Sequence, residues 1–189
     1  MIRYEKLLQE ISLRKPKTIL EIGTHVGRSA VNMIEEAQKF NDNIVYYGFD
    51  LFELMTEDYK KYEFHGKSNC NIQEPSRRLD KTGCKYHLKV GNTRKTLLKF
   101  EPDQQIDFVF IDGGHSVDTI ESDWNNIKKL MDQDTVVMFD DYYDNRDDVG
   151  CKKVVDSIIE SSDYKVELLE PVDYVEKNDL YIRFVKVTK

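Results

Sequence analysis

A chain of 189 residues lies in the size range of one domain and is long enough to bury a core without disulfide staples. Its formal net charge of −7 speaks against a broad nucleic-acid surface, which would need clustered Lys and Arg. Three cysteines, Cys70, Cys84 and Cys151, form no C-x-x-C pair, and their odd count suits a reducing compartment better than a disulfide framework or a zinc site.

The first ten residues are charged and amphipathic rather than a basic flank followed by an apolar core. No secretory signal is therefore expected, and no apolar run reaches membrane-spanning length. The expected location is cytoplasmic, with no membrane partner. Tyr4, Leu7, Leu8 and Ile11 share one side of a short helix within residues 1–15 that ends before Pro16, a packing element with little functional content.

Thr18 to Ile22 is apolar and β-branched enough for a buried strand, and Ala30, Val31, Ile34 and Ala37 follow at helical spacing. Ile44 to Phe49 reads as a second strand ending on Asp50. Residues 51–83 are less regular: Leu54, Met55, Tyr59, Tyr62 and Phe64 lie among charges, then comes Gly66, then a short helix from near Pro75 to Gly83. A connection of this length serves either as a lid or substrate segment or as ordinary packing helices, and His65 within it reads as a surface residue. Arg77, Arg78 and Lys81 read as a solvated face.

Tyr86 to Val90 gives a third strand closing on Gly91-Asn92-Thr93, and Ile106 to Ile111 a fourth, terminated by Asp112-Gly-Gly-His115. Val117, Ile120, Trp124, Ile127 and Leu130 trace a helical stripe that puts Trp124 in or near the core. Thr135 to Phe139 is a fifth strand ending on Asp140-Asp141, and Cys151, Val154, Val155, Ile158 and Ile159 mark another helix. This alternation predicts an α/β fold, a doubly wound, Rossmann-like, mostly parallel seven-stranded sheet in a single domain over residues 1–189. The connection holding Pro171 is too short for a helical crossover, so Tyr164–Leu169 and Leu180–Val187 are expected as an antiparallel C-terminal hairpin.

A dinucleotide fingerprint needs G-x-G-x-x-G and a P-loop needs G-x-x-x-x-G-K-S/T; the turn after the first strand fits neither. Its Glu21-x-Gly23-x-x-x-Gly27-x-Ser29 pattern resembles motif I of class I S-adenosylmethionine-dependent methyltransferases, in the form found among small-molecule O-methyltransferases. His25 stands where the commoner form carries a third glycine, and remains an uncommitted candidate for substrate contact. A parallel sheet with an antiparallel last strand is also the fold this resemblance implies.

Glu21 and Gly23, Asp50, Asn92, Asp112 with His115, and Asp140 with Asp141 all fall at the carboxyl ends of the expected parallel strands, the edge where open α/β sheets bind ligands. Helix capping accounts for part of this, but not readily for the doubled Asp140-Asp141 or for Asp50, which precedes Leu-Phe. An acid in the place of Asp50 can accept bonds from both hydroxyls of a ribose. The donor-binding set that the resemblance implies is Glu21, Gly23, Thr24, Gly27, Ser29, Asp50, Leu51, Gly91, Asn92, Thr93 and Asp112, with Gly91 to Thr93 bordering the adenine. Gly23, Thr24 and Ser29 would lie near the methionine portion.

Asp112-Gly-Gly-His115 together with Asp140-Asp141-Tyr142 looks like the metal-dependent O-methyltransferases, of both the catechol and caffeoyl-coenzyme A type and the macrolide-sugar type. The likeness implies Mg²⁺ held by Asp112, Asp140 and Asp141, His115 as general base, and a small-molecule hydroxylated substrate. Lys occupies the base position in the catechol type, so His115 leans toward the sugar-directed relatives. Acceptor specificity would reside after Asp50 and around Tyr142 to Asp148. Three rival readings stand beside this: an NAD-binding oxidoreductase, a donor-binding regulatory protein without catalysis, and a nucleic-acid methyltransferase. The last is weakened by the acidic balance and the lack of an Asn/Asp-Pro-Pro-aromatic motif. Whether the chain works as a monomer or a homo-oligomer is left open.

Overall fold

A computed structural model describes residues 3–63, 70–176 and 179–189; the expectations for Phe64, His65 and Gly66 lie outside them. The elements run in the order α1 (Arg3–Arg14), β1 (Thr18–Ile22), α2 (Arg28–Gln38), β2 (Val45–Asp50), α3 (Glu57–Tyr62), α4 (Gln73–Leu79), β3 (Lys85–Val90) and α5 (Thr93–Thr96). They continue with β4 (Phe108–Ile111), α6 (Val117–Ile127), β5 (Val136–Tyr143), α7 (Lys152–Ser161), β6 (Lys165–Leu168), β7 (Asp173–Val175) and β8 (Leu180–Thr188).

The sheet order is β3-β2-β1-β4-β5-β8-β6, with β7 also paired to β8. The first five strands are parallel, and β8 is antiparallel to β5, β6 and β7. Successive residues of a strand face opposite sides of the sheet, and here both sides carry helices. Leu20 and Ile22, Val109 and Ile111, Val137 and Phe139 pack with Ile120, Trp124 and Ile158 of α6 and α7. Ile19, Phe108, Phe110 and Met138 pack on the other side with Leu7 and Ile11 of α1 and Ala30, Met33 and Ile34 of α2. Double burial explains why these strands read as unbroken apolar runs. Trp124 is buried between the rings of Phe139 and Tyr164.

Two features depart from expectation. The sheet has eight strands rather than seven: Asp173-Tyr-Val175 finds ladder partners because β8, nine residues long, extends past β6. The fifth strand also does not stop at its acidic pair. It continues to Tyr143, with the register against β8 shifting between Phe139 and Tyr142, so that Asp140 and Asp141 sit in a bulge, where extra residues re-aim side chains.

The carboxyl ends of β1 and β4 touch closely. Gly23 has φ +96°, and a Cβ there would lie 1.9 Å from the Asp112 carbonyl oxygen. Below this contact, Glu21 faces the α1/α2 side. It is fully buried and accepts a short hydrogen bond from the Tyr46 hydroxyl, which meets Thr24 Oγ1 at 3.0 Å. Burial pushes the Glu21 carboxyl up to about 8, the Tyr46 bond pulls the other way and the Asp50 charge adds to the rise.

Gly23→Ala combines a backbone clash with a left-handed conformation and should cost about 2–4 kcal/mol in urea unfolding. Gly83→Ala, at φ +70° with nothing within 4 Å of the added Cβ, should cost about 1 kcal/mol; equal losses would contradict this reading. The folded chain also holds a proton on Glu21 that the unfolded chain releases above its ordinary 4.5. That contribution to stability is complete below the unfolded value and is lost as pH rises toward 8. The advantage of wild type over Glu21→Gln should therefore fall across pH 5 to 8, by at most about 1.4 kcal/mol per pH unit. A difference that stays flat with pH would refute it.

Candidate functional site

Strand order reverses at β1, which has β2 on one side and β4 on the other. Such a switch point, at the carboxyl ends of the strands, is where a doubly wound sheet opens a crevice. Here it is a cleft lined on the strand side by Ile22, Gly23, Phe49, Asp50 and Leu51 and by the Gly91-Asn92-Thr93 turn. Asp50 is held rigidly: Oδ2 accepts from the His25 backbone N–H at 2.8 Å and Oδ1 from that of Phe52 at 2.9 Å. A carboxylate has about four acceptor positions, so both oxygens keep capacity for hydroxyls.

The opposite wall comes from α3 and the residue after it. Tyr59 accepts a 2.8 Å bond from Asn92 Nδ2. Glu63 reaches the turn after β4, accepting from Ser116 N at 3.0 Å, Ser116 Oγ at 2.8 Å and Thr119 Oγ1 at 3.0 Å, while its carbonyl accepts from His115 N at 3.1 Å. The start of the 51–83 segment thus lies over the cleft and is latched to the turn bearing His115. Tyr59, Glu63 and Thr119 carry no motif, and nothing in their local sequence marks them as lining residues.

Beyond Gly113 and Gly114 the strand-end acids form two separate groupings. In one, the buried His115 has Nε2 3.0 Å from Asp141 Oδ2. Asp141 has φ 59°, and its carbonyl accepts from Cys151 N while His115's accepts from Gly150 N, which fixes the bulge against the start of α7. In the other, Arg3 of α1 grips Asp140 with a fork, Nε to Oδ1 at 3.0 Å and Nη2 to Oδ2 at 3.1 Å. The remaining Nη1 reaches Asp173 Oδ2 of β7 at 2.9 Å. The Tyr4 hydroxyl lies 2.9 Å from Asp140 Oδ2 and 3.2 Å from Asp112 Oδ2.

Burial, then the Asp141 charge, pushes the Asp140 carboxyl up, and Arg3 opposes this. Burial alone would lower the Arg3 guanidinium, but Asp140, joined by Tyr4 and Asp173, offsets it and holds the value above the ordinary one. Guanidinium does not give up its proton in proteins, so Arg3 carries its charge into this buried contact. Burial and then the charges of Asp112 and Asp140 hold the Tyr4 phenol well above its ordinary value, so it acts as a donor. Arg3 was legible in principle: it stands at i−4 from Leu7 on the buried stripe, an unusual place for a charge.

The cleft gathers Gly23, Asp50, Leu51, Gly91, Asn92 and Thr93. Glu21 and Thr24 lie beneath it, joined through Tyr46, and Gly27 and Ser29 lie at the start of α2, outside its lining. The expected Mg²⁺ does not fit the carboxylates in this arrangement. All of about four acceptor positions on Asp140 are used, by Arg3 on both oxygens, the Tyr4 hydroxyl on Oδ2 and the Asp141 N–H on Oδ1; Tyr4 also reaches Asp112, and Asp141 faces His115. Among the described residues no group of three or more His, Cys, Asp or Glu side chains is placed to hold a metal ion.

The fold resembles several solved structures. The O-methyltransferase TomG of Streptomyces achromogenes, involved in tomaymycin synthesis and solved with S-adenosylmethionine, is 17% identical with a TM-score of 0.69, over 99% of this chain and 79% of that one. An O-methyltransferase from Bacillus cereus, solved with S-adenosylhomocysteine, is 15% identical with a TM-score of 0.72, over 100% and 81%. An rRNA methylase from Streptococcus thermophilus is 12% identical with a TM-score of 0.65, over 99% and 96%. Such distant likenesses establish the fold and leave the acceptor open. No curated protein sequence matches the chain. Residues 20–142, from β1 into the bulge of β5, match a family model described as a methyltransferase domain. That match spans more than half of the sequence and includes every strand end that lines the cleft, and the chain belongs to this family of methyltransferase domains.

Proposed function

We propose that the chain transfers the methyl group of S-adenosylmethionine to a hydroxyl of a small molecule. The observation that carries this reading is Asp50 at the switch-point cleft, its oxygens fixed by two backbone N–H groups and still able to accept a ribose diol. Adenine would lie against Leu51 and the Asn92-Thr93 turn, under Tyr59 and Glu63. The S-adenosylmethionine bound in TomG and the S-adenosylhomocysteine bound in the Bacillus cereus enzyme support the choice of ligand. The NAD alternative loses its ground with the family match and the missing glycine fingerprint.

The donor sulfonium is already electrophilic, whereas a hydroxyl is a weak nucleophile until its proton is removed. His115 Nε2 lies 3.0 Å from Asp141 Oδ2, and a neutral imidazole offers one accepting nitrogen. The acceptor proton passes to His115, the oxygen attacks the methyl carbon in line, and the C–S bond breaks with its electron pair going to sulfur. The Asp141 carboxylate beside the ring stabilises the imidazolium that forms, as carboxylates do in other histidine bases. Arg3 and Tyr4 already engage Asp140 and Asp112, which leaves removal of the acceptor proton to His115.

His115 in place of Lys favours a sugar-like acceptor over a catechol. The net charge of −7 weighs against RNA despite the rRNA methylase likeness. No helix among the described residues is long and apolar enough to cross a membrane. Three free thiols, Cys70, Cys84 and Cys151, suit a reducing compartment such as the cytoplasm.

Calorimetry should give one S-adenosylmethionine site per chain, and Asp50→Ala should weaken it about 10- to 100-fold, the loss expected for charge-assisted hydrogen bonds. No donor binding by the wild type would end this reading. On whichever acceptor a panel of sugars and phenols yields, His115→Ala should lower kcat about 10²- to 10⁴-fold while leaving donor affinity within about twofold. Donor binding without turnover across the panel would instead favour a regulatory protein.

A further inference from the structure

We propose that Arg3 and Tyr4, from the first turn of α1, take the place a divalent cation would hold between Asp112 and Asp140, so that the chain carries a tethered organic cation over a latent metal site. The inference concerns the acceptor side of the site described above and rests on that functional reading for its catalytic meaning, though not for its structural test.

The geometry is built rather than incidental. Arg3 is 4% exposed, and its guanidinium lies 5.1 Å from the Tyr4 ring centre and 5.5 Å from that of Phe184, so it is enclosed by aromatic faces as well as carboxylates. The planar fork matches both oxygens of Asp140, a pairing that Lys or an incidental contact would not reproduce. Its third nitrogen is tied to Asp173, which is there only because β7 extends the sheet along β8. Arg3, Leu7 and Ile11 lie on one buried stripe, so the charge is anchored by the packing of the whole helix.

The ligand chemistry is also incompatible with simultaneous metal binding. Mg²⁺ requires about six oxygens at about 2.0–2.1 Å in an octahedron. The Tyr4 hydroxyl sits at hydrogen-bonding distance from one oxygen of Asp140 and one of Asp112, and Arg3 uses both Asp140 oxygens. A metal would therefore have to displace the first turn of α1. Neutralisation of the strand-end acids comes from the chain itself, and polarisation of the acceptor hydroxyl falls to His115 with Asp141.

Manganese is the probe, read by the loss of its free-ion electron paramagnetic resonance signal. Wild type should leave that signal undiminished at equimolar Mn²⁺, and its melting temperature should not respond to the ion. Arg3→Met should bind about one Mn²⁺ per chain, at least about tenfold more tightly than wild type, and should be stabilised by it. Stoichiometric Mn²⁺ binding by wild type that Asp140→Asn abolishes would overturn the proposal, as would a folded Arg3→Met that binds no better than wild type. Should Arg3→Met not fold without metal, refolding into Mn²⁺ reads the same question: recovery of a cooperative melting transition supports the latent site, and no recovery refutes it. Donor titration alongside separates the two readings, since a chain that binds no S-adenosylmethionine yet responds to Mn²⁺ as stated loses the function and keeps the arrangement.

Discussion

The ion pair between Arg3 and Asp140 joins the beginning of the chain to its functional edge. It spans 137 positions in sequence, and through Asp173 the same guanidinium reaches a further 33 positions on. Breaking a buried pair by removing one partner typically costs about 3–5 kcal/mol, because the other charge is left in a low-dielectric setting. Such a pair is weak evidence for stability relative to an apolar substitute; what it does here is tie distant segments together. Once α1 docks, the bulge that holds Asp140 and Asp141 and the short strand β7 are fixed relative to one another.

The donor side of the site has a different physical origin. It needs no charge pair, only the reversal of strand order at β1 and the close approach of the turns after β1 and β4. Gly23 allows that approach, and backbone bonds from Gly23 to Phe49 at 2.8 Å and from Gly91 to Asp50 at 2.8 Å hold neighbouring strand ends in register. Asp50 then projects from a rigid edge rather than from a loop, which suits a residue proposed to recognise a diol. The cover is held differently: Glu63 closes on Ser116 and Thr119 through half-buried hydrogen bonds, less deeply enclosed than the sheet beneath.

Much of this was legible in the chain because burial on both faces leaves a plain signature. The runs that form β1, β2, β4 and β5 are continuous and apolar, so strand identity, order of appearance and the acids at their ends could be read directly. What escaped reading depends on contacts across the fold. β7 is three residues long, lies after Pro171 and is only partly buried, so it exists because β8 offers it a partner. The acidic pair of β5 reads as a strand stop, yet the ladder resumes at Tyr142 because Arg183 and Ile182 stand opposite. Glu21 belongs to the donor motif by position, but strand alternation turns it to the face of Ile19, away from the cleft. Arg3 was the most readable of the missed residues, since a charge on an apolar helical stripe needs a buried partner.

A crystal structure of the chain grown with S-adenosylhomocysteine and Mg²⁺ tests the account most directly. Ribose hydroxyls should lie on Asp50 and adenine against Leu51 and Asn92, with the Arg3 fork still closed on Asp140. Nucleoside density outside the β1/β4 cleft, or a metal ion between Asp112 and Asp140 with Arg3 turned away, would contradict it.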